Sequence, residues 1–530
     1  MNSESGATEL AEPNLRAWLT TIGLDVEYVR GAGNTLFMRG DDGAEIPVID
    51  YAGGYGALFF GHNHPVITAR ARELLDTGTP VLAQFSAHPQ ASRLVLELNR
   101  IIHRELGDTE PYYATFANSG AEAVEAAVKH AELDRVSRLS AVTGELEAAT
   151  ARARSAVLAG EAAVDPGVWQ RLGVPRPAGD GDAVADLVAE IARRNAVQTA
   201  RPPVFLALEG GFHGKLGTSV QLTHNEGYRA PFQALAAGAR FVPRERPEVL
   251  KDILAEESGT LLGLAVTGGG VRLVERDHHT LCAFLVEPIQ GEGGIRPLSE
   301  EFARQIQEFS AAAGCPIVVD EIQSGMGRVG RLLASSHLGL RADYYVLAKS
   351  LGGGLAKAAV MLVRGSRYRQ EFELVHSSTF AKDGFSCPIA LTVLELLEAD
   401  GGRAYTLALE RGEALAGMLE SVRATFPDVV KEIRGRGLML GLEFHDQSGS
   451  TDPLIRDAVA SGTFGYLIAG HLLQAHRIRT FPTASAVSTL RFEPSVLLTD
   501  AEIDRLEEAL TDVCAILRGQ TGKRLAIPVA

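Results

Sequence analysis

Hydrophobic and polar positions change rhythm along this chain, and each change predicts a different kind of element. Between residues 24 and 60 the run YVRGAGNTLFMRGDDGAEIPVIDYAGGYGALFFG alternates apolar and polar positions between glycine-bearing turns, which predicts short antiparallel strands. From about Pro65 the apolar spacing lengthens to three and four, so VITARARELLD and ASRLVLELNRIIHREL predict helices. Five β-rich runs follow, YYATFANS, PVFLALEG, CAFLVEPI, CPIVVDEI and DYYVLAKS, separated by helical or loop stretches. Such alternation predicts an α/β fold, a mainly parallel sheet covered on both faces by helices. After about Asp383 come the helical segments PIALTVLELLEA and YTLALERGEALAGMLESVRATF, the strands LMLGLEF and STLRFEP, and a closing helix TDAEIDRLEEALTDVCAILRG.

This pattern divides the chain into an N-terminal segment (1–64) that joins a small domain, a large domain (65–385), and a C-terminal α+β domain (386–530). One stretch breaks the rhythm. Residues 134–200 hold an Ala- and Glu-rich helical pattern, a Pro/Gly hinge (PGVWQRLGVPRPAGDGD) and another helical pattern, too long for a simple connection. It is expected to be an inserted helical subdomain.

Composition narrows the partners. The 530 residues are 46% hydrophobic and 22% charged, enough for a large core. A net charge of −15 argues against nucleic acid and anionic membrane and favours small-molecule partners. Cys282, Cys315, Cys387 and Cys514 lie far apart without CxxC or a His-Cys cluster, so no disulfide framework and no metal site is expected. The polar, acidic N-terminus lacks a signal-peptide pattern and no apolar run reaches spanning length, which makes the cytoplasm the expected location.

The chemistry starts from two charges at the ends of apolar runs: Asp320 in CPIVVDE and Lys349 in YYVLAKS. An ionised side chain there is costly unless something pairs with it. Pyridoxal phosphate answers both, because it links to a lysine amine and needs a carboxylate against its ring nitrogen. Ser119, Gly120 and Ala121 open a helix after YYATFA, a junction suited to phosphate, although Ser119 and Glu122 also form a ligand-free capping box. Phe212 and His213 in GGFHGK place rings at another strand end, and Glu287 and Glu292 in VEPIQGEGG crowd a glycine-rich loop at a third. A competing signal is Gly325–Gly330, which matches G-x-G-x-x-G with Asp343 further on, as in a dinucleotide site. RLLASSHLGLRA is too short and interrupted for the helix such a site requires.

In their order these motifs resemble the class III pyridoxal-phosphate aminotransferases of fold type I, the ornithine, acetylornithine and 4-aminobutyrate group. The resemblance runs through YGALFFGHNHP, FANSGAEAVEAAVKHA, GGFHGK, VEPIQGEGG, VVDEIQSGMGRVGR, LAKSLGGG, HSSTF, IRGRGLMLGLEF and LRFEPSVLLTDAEID. It implies that Lys349 is the Schiff-base lysine and Asp320 the partner of the pyridinium nitrogen. It puts Gln323 near the ring hydroxyl, Ile322 and Phe212 on opposite ring faces, and His213 beside the ring. Ser119, Gly120 and Ala121 would hold the phosphate, and Glu287 would line the site. Thr379 would reach the phosphate of the neighbouring subunit, which implies a homodimer.

For the substrate, the resemblance makes Arg491 a carboxylate-binding arginine and Glu292 the glutamate that neutralises it. Tyr55 aligns with a substrate-contacting aromatic, and Lys215 stands where the ornithine enzymes carry arginine, a change that alters clamp geometry. The loop FAKDGFSCP and the 134–200 segment depart from the shorter metabolic members. The expected activity is transfer of an amino group from an amino donor to a 2-oxo acid. The alternative is elimination, replacement or carbon–carbon bond formation in natural-product biosynthesis, on an amino acid such as S-adenosylmethionine without net amino transfer.

Overall fold

Apolar residues that alternate inward and outward along seven strands account for the centre of the molecule. The computed structural model describes residues 11–40, 42–176, 182, 184–236 and 238–526. The first ten residues of the N-terminal segment and most of the Pro/Gly stretch after Arg176 therefore lie outside the described residues.

The main sheet comprises β1 (Tyr112–Ala117), β2 (Val204–Leu208), β3 (Ala239–Val242), β4 (Leu281–Val286), β5 (Ile317–Asp320), β6 (Tyr344–Leu347) and β7 (Ala359–Arg364), in the order β1-β7-β6-β5-β4-β2-β3. Pairing is parallel from β3 through to β6, while β7 runs antiparallel to both β6 and β1. Five of these strands are the β-rich runs of the sequence. β3 and β7 are additional: β3 forms one edge of the sheet, and β7 lies between β6 and the opposite edge strand β1.

Alternation decides which face each residue covers. Leu206, Phe284, Val319 and Tyr345 face one core, packed by the helices Pro65–Asp76, Pro89–Leu106, Glu300–Ala313 and Ser386–Thr425. Phe205, Leu285, Val318 and Tyr344 face the other, closed by Val124, Ala127, Val128 and Ala131 of the helix Gly120–Leu158. Small residues on that helix let it lie close to the strands. The parallel strands all end on one edge, so the residues after β1, β2, β4, β5 and β6 converge there.

A second antiparallel sheet, Val430–Arg436, Met439–Phe444, Ala486–Phe492 and Phe481–Thr483, packs against the helices Phe464–His476 and Ser386–Thr425. The chain's two ends meet beside it. Ile478–Arg479 pairs in parallel with Glu45–Asp50, and the Tyr51 hydroxyl donates to the Glu502 carbonyl at 2.7 Å.

The 134–200 segment differs from an all-helical insertion. The helix Gly120–Leu158 runs unbroken into it, and Pro166–Leu172 and Ala185–Thr199 follow, but Ala163–Val164 pairs with a hairpin of Ser258–Thr267 and Gly270–His279. Trp169, Leu172, Leu187 and Ile191 bury against Leu262, Leu264 and Val271 in a separate small core. SGTLLGLAVTGGGVRLVERDHH carries a hairpin signal, two alternating runs about Gly268-Gly269.

The G-x-G-x-x-G match forms no dinucleotide turn. The N–H groups of Met326 and Gly327 donate to Leu332 and Arg331 carbonyls at 2.7 and 3.1 Å, and that of Gly330 to Gly327 at 2.9 Å. Only the short 3-10 helix Ala334–Leu338 follows. A phosphate would find those donors already used.

Candidate active site

On the converging edge, β5 ends at Asp320, whose buried carboxylate is held from two sides. Oδ2 lies 2.8 Å from His213 Nδ1, and Oδ1 accepts the Ile322 N–H at 3.1 Å. His213 is itself buried, and its N–H donates to Thr223 Oγ1 at 3.0 Å. Burial opposes a charged imidazole, but the hydrogen bond and charge of Asp320 outweigh it and hold His213 above the usual histidine range.

Glu287 follows β4 and is fully enclosed. It accepts from the N–H groups of Phe212 at 2.8 Å and Gly291 at 3.1 Å, tying two loops together. Burial pushes its carboxyl up to about 7, against the pull of His213.

Lys349 follows β6 in the left-handed region, φ 48°, where a residue with a side chain is strained. Lys349 is half-buried, and desolvation lowers its pKa from the ordinary lysine range, with Glu493 and Glu292 opposing. After β1, Ser119 caps the helix Gly120–Leu158, its hydroxyl accepting the Glu122 N–H at 3.3 Å. The Glu122 carboxylate turns instead to Asn118, taking its N–H at 2.9 Å and Nδ2 at 3.0 Å. A capping contact therefore forms, and the first helical amides still face the cavity. Glycine at 120 is dictated by Ile322, whose Cδ1 would lie 2.7 Å from any Cβ there.

These residues line one cavity of about 570 Å³: Ser119, Gly120, Ala121, Phe212, His213, Glu287, Asp320, Ile322, Gln323 and Lys349. A second cavity of about 660 Å³ meets it at Phe212, Lys215 and Lys349 and adds Tyr55, Glu292 and Arg491. Arg491 and Glu292 form a buried fork, Nη1 to Oε1 2.7 Å and Nη2 to Oε2, while the Ala484 N–H donates to Glu292 Oε2 at 2.8 Å. Burial alone would raise the Glu292 carboxyl; Arg491 outweighs it and holds it at about 2. Tyr55, also left-handed at φ 56°, lies 5.0 Å from the Arg491 guanidinium and stacks on Phe481. Lys215 is exposed, its ammonium 3.8 Å above the Tyr228 ring.

Thr379 is the one sequence-selected site residue outside both cavities. It is exposed, and its carbonyl accepts from Gln84 Nε2. Its neighbour Ser378 accepts from Asn118 Nδ2 at 2.9 Å, which ties that loop to the Ser119 turn.

Several site residues escape sequence reasoning. Glu493 is wholly buried; Gln323 Nε2 donates to its Oε2 at 3.0 Å, and its Oε1 has no protein partner. It was visible in principle, as a charge closing the apolar strand STLRFE, the same signal that marks Asp320. Trp18, Tyr28, Tyr228, Tyr466 and Arg479 join the second cavity from distant segments and carried no local signal.

The sequence profile of the family described as Aminotransferase class-III matches residues 22–514. Among solved structures, the chain is similar to an ornithine aminotransferase from Toxoplasma gondii ME49, at TM-score 0.65 and 20% identity, covering 97% of this chain and 94% of that one. It is also similar to a transaminase from the marine bacterium Virgibacillus, at 0.68 and 17%, covering 98% of both. An amine transaminase from an uncultivated Pseudomonas species matches at 0.64 and 20%, over 96% and 97% of the two chains. At these identities the structural likeness speaks for the fold.

Proposed function

The chain belongs to the class-III aminotransferase family over residues 22–514, and on that premise we propose the roles by which its residues move an amino group. The enzyme is a pyridoxal-phosphate-dependent aminotransferase of fold type I, acting on amino-acid and keto-acid substrates. The residues present fit that cofactor. A helix N-terminus opens onto a cradle that a Cβ at Gly120 would fill, a buried carboxylate faces the same cavity, and the strained Lys349 stands across from it.

When bound, pyridoxal phosphate supplies an aldehyde that links to amines and a ring that takes up the electron pair left when a substrate Cα–H bond breaks. Ser119, Gly120 and Ala121 would hold the phosphate, while Ile322 and Phe212 would flank the ring. Gln323 is oriented by Glu493: a carboxylate only accepts, so the amide NH₂ points to it and the carbonyl oxygen is left for the ring hydroxyl. Asp320 holds the proton of the ring nitrogen. His213 fixes the carboxylate in place. Lys349 Nζ takes the substrate Cα proton and returns it, a task helped by a pKa lowered toward neutrality.

Arg491 binds a substrate carboxylate once Glu292 swings aside, and with Glu292 paired the site presents no net charge there. The buried two-bonded fork beside Lys349 is the observation that carries this reading. Thr379 acts on the neighbouring subunit's phosphate. Phe85, next to the Gln84 that donates to Thr379, and Leu374, Val375 and Phe380, near it in sequence, are all exposed and support a second copy of the chain covering this face. No helix among the described residues is long and apolar enough to cross a membrane. Four free buried cysteines support a cytoplasmic setting.

The test is a donor screen on holoenzyme. Amino acids should discharge the yellow colour and 2-oxo acids restore it, with Lys349→Ala losing turnover by at least about 10⁴-fold. A protein that stays colourless with the cofactor, or a Lys349→Ala variant that turns over normally, would sink the assignment.

A further inference from the structure

The helix Pro13–Thr21 buries none of its residues, yet Leu15, Trp18 and Leu19, at positions i, i+3 and i+4, all line the cavity that ends at Lys349. Its apolar stripe faces open space instead of protein. Two side contacts hold it there: the Trp18 ring packs edge-on against Tyr466 at 4.9 Å, and Gln474 Nε2 donates to the Gly23 carbonyl at 2.7 Å. A helix this short gains little from its own hydrogen bonds, so its position depends on what fills the space beneath.

The rest of the wall says what that filling is. Tyr28, Tyr55, Tyr228 and Phe481 surround the space, and among the described lining residues Glu292 is the one carboxylate, engaged by Arg491. Both other cations there besides Lys349 are already satisfied. Arg479 Nη1 donates to Asp50 Oδ1 at 2.8 Å with its guanidinium 4.7 Å from the Phe481 ring centre, and Lys215 rests on Tyr228. A donor with a distal ammonium finds no free carboxylate among the described lining residues, and an aliphatic or aromatic body finds apolar contact all round.

We propose that the helix Pro13–Thr21 is the lid of a side-chain subsite, and that the amino donor is an amine or amino acid with a bulky apolar body that packs beneath Leu15, Trp18 and Leu19. This rests on the aminotransferase reading above and adds the substrate class. Burial of each methylene favours binding about fourfold, so affinity should climb with chain length until the cavity is full.

The experiment measures kcat/KM on holoenzyme for straight-chain L-2-amino acids from 2-aminobutyrate to 2-aminooctanoate, with phenylalanine and ornithine alongside. The expected result is a rise of at least about tenfold along the series, phenylalanine well above ornithine, and a fall of the long-to-short ratio by about tenfold or more in both Trp18→Ala and Leu15→Asn. A flat series, a preference for ornithine, or variants that leave the ratio unchanged would overturn the subsite. If no donor of any length discharges the colour, the aminotransferase reading itself fails; if short donors react and long ones do not, only the subsite does.

Discussion

The cavity around Asp320 is walled by groups that five strands of one sheet deliver at their C-terminal edge, whereas the cavity around Trp18 draws its wall from segments as far apart as Leu15–Tyr55 and Tyr466–Arg491. In the first, polar atoms are locked to one another. Asp320 is held by His213 and Ile322, Glu287 by two loop amides, and Gln323 by Glu493. In the second, aromatic rings meet loosely over a helix that buries nothing. The difference matches the two tasks. A cofactor that stays needs fixed charge and fixed donors, because electrostatic preorganisation fails if the groups reorient. A substrate that enters and leaves needs a wall that can open, and weak apolar contacts supply it.

Asp320→Asn gives the sharpest break on the cofactor side. It keeps the shape but removes the charge behind the ring nitrogen and beside His213, and should lower kcat by about 10²–10³-fold, measured by steady-state turnover at saturating cofactor. A loss of only a few fold would mean the carboxylate is structural.

The Arg491–Glu292 fork lines the second cavity beside Lys349, and its removal should act on stability. Arg491→Leu strands a buried carboxylate and should cost about 3–5 kcal/mol in chemical denaturation, while Arg491→Met with Glu292→Leu should recover most of that. Glu292 sits below its ordinary range, at about 2, so the pair's contribution is present above the normal glutamate range. It is lost as pH falls through about 2.

Glu321, behind Asp320, tests the rigid wall in the opposite sense. Burial pushes its carboxyl up to about 7 although it accepts from Ser324 Oγ at 2.8 Å and the Ser335 N–H at 2.7 Å. The folded state therefore keeps a proton that the unfolded chain releases near pH 4.5, and stability falls as pH rises from there through about 7. Glu321→Gln should remove on the order of 3 kcal/mol of that decline, read as the pH dependence of stability in chemical denaturation. An unchanged slope would place the titration elsewhere.

The smallest effect belongs to the substrate wall. Lys215→Arg keeps a cation over Tyr228 and should shift KM by about twofold or less, as for an exposed cation–ring contact. A change of tenfold would turn Lys215 into a direct substrate clamp and erase the contrast between the cavities.

How much of this was legible in the sequence follows the same division. Asp320, Lys349, Ser119 and Glu287 each stand at the end of an apolar run, and in a parallel sheet such ends share one edge, so local pattern was enough to group them. Glu493 carried the same signal but stood beside Arg491, whose role drew the reading toward the substrate. The hairpin Ser258–Thr267 and Gly270–His279 also carries a local signal, its alternation about two glycines, but its packing against the 134–200 segment does not.

What the sequence determined by itself was the order of strands and helices, the strand-end charges and the glycine positions where backbones must approach, because each depends on neighbours within a few residues. Only the tertiary structure decided that Trp18, Tyr466 and Arg479 share a cavity with Lys349, and that Thr379 stands outside it. Those proximities come from the pairing of Glu45–Asp50 with Ile478–Arg479 and from the contact of Trp18 with Tyr466. Contacts between segments so far apart leave no periodicity for a local reading to find.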